Sequence, residues 1–454
     1  MQKTENNIKN KTGRRQRDNV RFKKPGLLSR WAAVELINQV LEDKKSISNQ
    51  LQDSDLFKCL TASDRARSQR LALQTLRYLT RIDDILDKYL SKTPPNKAMN
   101  ILRLAVLEIC SEKISPHAVV DGAVSLMKAS RKLIQFSGLS NAILRKISKN
   151  DIDSWKLGGV TKLPKWLRKR LVHVYDESIV KDMELAHMNG AKTDITLKPG
   201  LDLIKWAKEL DANILPTGSL RLQASSQLSK LSGFDEGMWW VQDVAATIPV
   251  KSIGSLNGKS VLDTCAAPGG KTLQLTSLGA EVVALDKSSS RLKILRENLD
   301  RTNMTAEIIQ ADFLNWNTDQ TFDYILLDAP CTATGTIRRH PDLPLLRTKE
   351  DLTSLIQLQS DMIDKSIAML KPSGKLIFTT CSLLPEEGEI QVKAAMKRHN
   401  LRAVKLSIEA LGLNPNWYNN DLYNLRLRPD YWTDLGGMDG FFISVLENRK
   451  QVLD

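Results

Sequence analysis

From about Val250 onward the chain alternates short apolar runs with amphipathic ones, and that rhythm limits the possible fold more than any other feature. SVLDTCA (260–266), EVVALD (281–286), AEIIQAD (306–312), YILLDAP (324–330) and KLIFTTC (375–381) are short and mostly rich in branched apolar residues. Apolar runs of this length bounded by turns predict strands buried on both faces. The intervening KTLQLTSLG, SSSRLKILRENLDRT and DLTSLIQLQSDMIDKSIAMLK carry helical spacing. Strand and helix in alternation predict a doubly wound parallel sheet, an α/β Rossmann-like domain over residues 250–450. FFISVLEN (441–448) is expected to add an edge strand.

Open sheets of this kind bind ligands outside the carboxyl ends of their strands, so the strand-end residues are the candidates. The first strand runs into DTCAAPGGKT (Asp263–Thr272). Gly269 and Gly270 let the backbone approach a ligand closely, and the helix that follows offers its first N–H groups. The G-x-G-x-x-G spacing suited to a pyrophosphate is missing. Cys265, Ala266, Ala267, Pro268, Gly269, Gly270 and Lys271 are therefore read as a loop for a phosphate-poor cofactor. Asp286 ends the second strand, where a carboxylate can take two ribose hydroxyls. Asp312 ends the third and can meet an adenine amino edge; Asp328 ends the fourth. Acidic groups at successive strand ends suit a cationic nucleoside such as S-adenosylmethionine. Lys271, a cation at a helix start where the dipole disfavours it, is expected to answer a ligand carboxylate.

Cysteine is scarce: Cys59, Cys110, Cys265, Cys331 and Cys381 are the only five. Cys331 and Cys381 each sit where a strand opens into a loop. If those strands are neighbours, ~4.8 Å apart, the two thiols face one pocket. No C-x-x-C pair is present, which argues against a zinc site or other metal and against a disulfide framework. Isolated thiols suit a reducing cytoplasm. Cys59 and Cys110 are expected in the core, and Cys265 as a small packing residue of the cofactor loop.

The first half reads differently. Residues 27–154 carry three-four apolar spacing, as in SRWAAVELINQVLED and RSQRLALQTLRYLTRIDDILDKYL, and predict an all-α bundle. AMNILRLAVLEICSEK is apolar on nearly every face and should lie at its centre. A mixed stretch over 155–249 predicts a small α+β connector. Nine lysines and arginines face only Glu5 and Asp18 in the first 24 residues, out of a net charge of +14. So polar a segment cannot bury enough apolar area to order itself, so residues 1–26 are expected to be a disordered basic tail. Its partner would be a polyanion, met without sequence preference. Deleting residues 1–24 should weaken binding of such a polyanion at low salt and flatten its salt dependence, leaving any reaction rate at saturating polyanion unchanged. An unchanged salt slope in a filter-binding titration would reduce the tail to solvated filler. No apolar run approaches the ~20 residues of a membrane span.

DTCAAPGGKT, LLDAPCTATGTIRRHPD and TTCSLLPEE together resemble the motifs of the bacterial RNA 5-methylcytosine methyltransferases. The helical half, with SPHAVVDGAV and GLSNAILRK, is similar to the NusB-like domain fused to the small-subunit ribosomal RNA members of that group. This resemblance implies a class I S-adenosylmethionine-dependent fold and a ribosomal RNA substrate met before ribosome assembly is complete; a monomer is expected, although the sequence itself is silent on oligomeric state. Either cysteine could attack on the residues alone. The family pattern gives attack to Cys381 and resolution of the adduct to Cys331, with Asp328 against the cytosine edge and the cofactor. Arg338, Arg339 and His340 are expected to hold target phosphates. Two departures stand out: the family's LPEEN reads LPEEG here, with Gly388, and its Leu-Arg-x-Asn reads TLKP. Asp328-Ala329-Pro330-Cys331 does not fit the Asn/Asp-Pro-Pro-aromatic turn of the adenine amino-methylases. A non-catalytic NusB-like RNA-binding or transcription factor with a vestigial methylase domain is the other reading, and the intact cysteine pair opposes it.

Overall fold

The computed structural model describes residues 26–224 and 227–449, so the basic tail lies outside the described residues. They form two compact units. One comprises residues 26–164 together with His340–Leu346, and the other comprises Lys165–Arg339 and residues 347–449. Of the connector expected over 155–249, residues 165–249 share a unit with the main sheet, while 155–164 belong to the helical one.

The first unit is helical. In the helix Leu27–Leu41, Ala33, Leu36, Ile37 and Val40 are fully buried, which is the stripe read from the sequence. Asn96–Cys110 is buried from Ala98 to Cys110 at every position except Arg103, as a helix apolar all round should be. Within that core Arg30 Nε lies 2.7 Å from Glu108 Oε2. The single helix expected across Arg67–Leu90 is two, Ala62–Arg77 and Leu79–Asp87, turning at Tyr78. The Tyr78 ring meets Trp155 edge-on at 5.4 Å, an aromatic contact that periodicity does not reveal. Cys110 is buried, and burial pushes its thiol up to about 12. Cys59 is exposed, contrary to expectation, because it follows the short helix Asp55–Lys58. Asp342, eleven residues after Cys331 in sequence, accepts from Ile47 N–H at 3.0 Å inside this unit.

The second unit opens with two helices that meet at Asp176 (φ 69°) and span Lys165–Asn189. A small antiparallel sheet follows, made of β1 (Asp194–Leu197), β2 (Ala212–Ile214), β3 (Leu220–Leu222) and β4 (Trp239–Val241) in the order β2-β3-β1-β4. Ile195, Leu220, Leu222 and Trp239 form its core.

The main sheet contains β5 (Ser260–Thr264), β6 (Glu281–Asp286), β7 (Glu307–Gln310), β8 (Phe322–Asp328), β9 (Leu370–Thr380), β10 (Leu401–Ala403), β11 (Tyr418–Asn419), β12 (Asn424–Leu427) and β13 (Phe441–Asn448). Its order is β11-β12-β13-β9-β8-β5-β6-β7, with β10 also on β13. β7, β6, β5, β8 and β9 are mutually parallel. Helices Gly270–Ser277, Ser289–Thr302 and Lys349–Ala368 connect them, the last opened by a Thr348–Asp351 capping box. Alternation along β5 sends Val261 to one core and Leu262 to the other, so both faces are covered.

Two expectations need correction. The sheet is mixed, because β13, β12 and β11 run antiparallel. β13 is also interior: Phe442 pairs with Thr380 on one side while Leu425 pairs with Ile443 on the other. Its burial is the reason FFISVLEN is a continuous apolar run, a pattern that suits an interior strand better than an edge.

Candidate active site

β8 and β9 are hydrogen-bonded neighbours with Asp328 opposite Thr379. The ladder continues past their ends, where Ala329 N–H donates to Thr379 O at 2.9 Å. Each strand then opens into its loop, and Cys331 Sγ and Cys381 Sγ come to 3.5 Å from one another. Gly335 N–H donates to the Cys381 carbonyl at 2.8 Å, and Gly440 N–H to the Gly335 carbonyl at 2.8 Å. A Cβ on Gly335 would stand 2.1 Å from Gly440 O, so this approach of three loops requires glycine there.

The residues after the cysteines are tied by hydroxyls. Ser382 Oγ lies 3.3 Å from Thr332 Oγ1 and 3.3 Å from Thr334 Oγ1. Thr334 Oγ1 accepts from Leu383 N–H at 2.9 Å. Tyr175, from the first helix pair of this unit, donates its hydroxyl to Leu383 O at 2.8 Å.

Lys271 Nζ lies 2.7 Å from Asp328 Oδ2. Burial, the largest influence, opposes its charge, but the Asp328 carboxylate together with Cys381 and Asp263 outweighs it, and the ammonium's pKa rises. The partner of Lys271 in this structure is therefore a protein carboxylate at the reactive end, where a ligand carboxylate was expected. Asp263, beneath this pair, is buried with Thr272 Oγ1 donating to it at 2.6 Å. Burial pushes its carboxyl up to about 7 against that hydrogen bond. A carboxyl raised in the folded state stabilises the fold below its unfolded pKa and loses that contribution as pH rises through about 7. Asp263→Asn, which keeps an acceptor for Thr272, should therefore gain stability relative to the wild type between pH 5 and pH 8. Urea midpoints that differ by a constant amount across that range would contradict the assignment.

The cofactor loop has the conformation its glycines allow. Cys265 takes φ 62° and Gly269 φ 111°. A Cβ on Gly269 would lie 2.4 Å from Leu295 Cδ1. Gly269 caps the helix Gly270–Ser277 without a side-chain bond, leaving the helix start open toward a ligand. Ala266 N–H donates to Leu285 O at 3.0 Å, which places Ala266, Ala267 and Pro268 beside the end of β6. Asp286 is almost fully buried. It accepts from Ser288 N–H at 2.9 Å and Ala267 N–H at 3.2 Å, with Arg291 at 3.3 Å. Asp312 follows β7 and caps the next turn through Leu314 N–H at 3.0 Å. Burial, with Asp328 and Asp286 nearby, pushes the Cys265 thiol up to about 12, which suits a packing role. This arrangement fits S-adenosylmethionine: an uncapped helix start, a carboxylate at each of three strand ends, and no cradle for a second phosphate.

Arg338 and Arg339 do not point to phosphates. Arg338 is 1 % exposed, with Nη2 at 2.7 Å from Asp243 and Nε at 2.7 Å from Asp439. Arg339 joins the same two carboxylates. Burial alone would raise the Asp243 pKa, but Arg339 and Arg338 hold it far below the usual range. Nearby, Arg221 and Asp194 form a fully buried pair, and Arg221 also donates to Gly437 O at 2.7 Å. His340 belongs to the helical unit. The basic RRH run is thus largely an internal fastening for the loop after Cys331, and the sequence gives no sign of the distant carboxylates that neutralise it.

Gly388 also has a structural cause. A Cβ there would lie 2.4 Å from Arg426 Nη2 and 2.8 Å from Phe442 Cγ. Arg426 occupies the space, pairing with Glu389 at 2.6 Å and donating to Ser382 O.

A doubly wound core with a glycine-capped first loop, acidic strand ends and two facing thiols defines a class I S-adenosylmethionine-dependent methyltransferase. Comparison with known proteins narrows this. The family described as 16S rRNA methyltransferase RsmB/F matches residues 252–447, and the NusB family matches residues 28–149. Ribosomal RNA small subunit methyltransferase B of Photorhabdus laumondii is 32% identical over 447 residues, covering 92% of this chain and 98% of that protein. The protein of the same name from Vibrio vulnificus is 35% identical over 393 residues, covering 81% and 91%. A crystal structure of a methyltransferase homolog from Pyrococcus horikoshii aligns with a TM-score of 0.53 at 25% identity, over 63% of this chain and 95% of that one. The chain belongs to the ribosomal RNA small subunit methyltransferase B family. It is an S-adenosylmethionine-dependent RNA methyltransferase with an N-terminal NusB domain.

Proposed function

We propose that the protein methylates carbon 5 of a cytosine in small-subunit (16S) ribosomal RNA, through a transient bond between Cys381 and carbon 6 of the base. The observation that carries this reading is the thiol pair at 3.5 Å beside the Lys271–Asp328 pair. Its substrate follows the names of the relatives.

Carbon 5 of cytosine is a poor nucleophile. Addition of the Cys381 thiolate to carbon 6 makes a sulfur–carbon bond and shifts the ring's double-bond electrons toward carbon 5 and nitrogen 3. The nitrogen 3 edge, where negative charge develops, is assigned to the Lys271–Asp328 pair, whose ammonium offsets that charge while the carboxylate holds the ammonium in place. S-adenosylmethionine supplies an electrophilic methyl group. Residues 265–271, Asp286, Asp312 and Asp328 are assigned to holding it. Loss of the carbon 5 proton to a base restores the ring double bond and expels Cys381 as thiolate. The Cys331 thiol, 3.5 Å away, is assigned to hydrogen-bond that departing sulfur and so assist resolution.

The test uses the full chain, methyl-labelled S-adenosylmethionine and deproteinised small-subunit RNA, with the product digested to nucleosides. Label in 5-methylcytidine supports the reading. Label only in another nucleoside refutes it, and no transfer to any RNA would favour a binding role.

A further inference from the structure

The two reactive loops are joined by one carboxylate that the mechanism above does not use. Glu387 is fully buried. Its Oε1 accepts from Thr332 N–H at 2.9 Å, and its Oε2 accepts from Thr332 Oγ1 at 2.5 Å. Thr332 follows Cys331 directly. Gln359, also fully buried, donates to Glu387 Oε1 at 3.0 Å and to Pro330 O at 2.8 Å. Pro330 precedes Cys331, so the carboxylate and its amide partner grip the chain on both sides of that cysteine. Glu387 itself belongs to the loop after Cys381, and its own carbonyl accepts from Thr380 Oγ1 at 2.9 Å.

Charge around the two thiols is uneven. Lys271 acts on the Cys381 side, where its ammonium and that sulfur influence each other. Asp328 neutralises part of that charge at 2.7 Å. On the other side the hydrogen bond with Cys381, burial, and the charges of Cys381 and Glu387 push the Cys331 thiol well up, outweighing a backbone hydrogen bond from Ala333 that acts the other way. Arg426 stands near Glu387 and is taken up by Glu389, at 2.6 Å and 3.1 Å. Arg338 and Arg339 are paired with Asp243 and Asp439. Among the described residues, the carboxylate that acts on Cys331 and makes no ion pair of its own is that of Glu387.

We infer that Glu387 is a positioning residue: it fixes the Pro-Cys loop against the Thr-Cys loop and, by its charge, keeps the shared proton on Cys331, so that Cys381 is the thiolate. The thiol pair then holds one proton, Cys331 as donor and Cys381 as acceptor. The inference deepens the two-thiol reading proposed above and rests on it for its catalytic meaning.

Its first test needs neither RNA nor cofactor. The full-length protein is alkylated with iodoacetamide over pH 6 to 10, and the extent at each cysteine is read by mass spectrometry of peptides. The midpoint in pH is compared, since burial slows labelling of a site at every pH. In the wild type Cys381 should show the lower midpoint. Glu387→Gln keeps the size and an acceptor for Thr332 N–H while removing the charge, and should lower the Cys331 midpoint by about one unit. Methylation by this variant should lose about tenfold in kcat with the KM for RNA unchanged. A wild-type Cys331 midpoint below that of Cys381 would overturn the inference, and so would a Cys331 midpoint unmoved in a folded Glu387→Gln protein. Should that variant fail to fold, the order of the two midpoints in the wild type decides alone. Failure of the cytosine assignment would appear elsewhere, as label outside 5-methylcytidine with the midpoints in the expected order.

Discussion

Cys381→Ala should lose methyl transfer altogether and form no covalent complex with RNA, whereas Cys331→Ala should become trapped on it. The difference follows from where each sulfur acts. Without Cys381 no bond to carbon 6 forms, and carbon 5 stays too weak a nucleophile to take a methyl group. Removing a nucleophile of this kind costs several orders of magnitude in rate. Without Cys331 the attack and the transfer remain possible, but the departing sulfur loses the hydrogen-bond partner that stands 3.5 Å away. The enzyme then stays attached through Cys381. A denaturing gel of each variant with cofactor and small-subunit RNA reads this directly, as a slow band destroyed by ribonuclease. A band from Cys381→Ala alone would assign attack to Cys331.

Arg338→Ala should unfold the second unit at a markedly lower temperature. The guanidinium is 1 % exposed and bridges Asp243 and Asp439, each also buried. Removing one member of a buried ion pair leaves charge without enough compensation, a loss of 3–5 kcal/mol in typical cases. Arg339 remains on both carboxylates, so about 3 kcal/mol is expected. For a unit of this size that is a fall of ~6 °C or more in Tm. Calorimetry measures it. Were Arg338 a phosphate contact instead, Tm would hold and the salt slope of RNA binding would fall by about one.

The parallel half of the sheet is legible in the sequence because strands buried on both faces cannot alternate with polar residues, and β5, β6, β8 and β9 show it. Cys331 and Cys381 are legible as strand-end residues, and their nearness follows once β8 and β9 are neighbours. What the residues do not disclose is long-range pairing. FFISVLEN reads as a strand but carries no mark of which strands flank it, so its interior place between β9 and β12 comes only from the fold. Arg338 reads as a basic loop residue because its carboxylates lie about 95 residues before it and 101 after it. Lys271 reads as a ligand contact for the same reason, since Asp328 stands 57 residues away. Glu387 lies inside a recognisable motif, yet its hold on Thr332 across 55 residues is invisible until the loops are in place.

Methylation at carbon 5 has one consequence that no other site on cytosine shares: the hydrogen there must leave. Small-subunit RNA transcribed with cytidine tritiated at carbon 5 should release one tritium to water for each methyl group taken up. Cys381→Ala should release none. Methyl uptake by the wild type without tritium release would contradict carbon 5 as the target and, with it, the covalent route through Cys381.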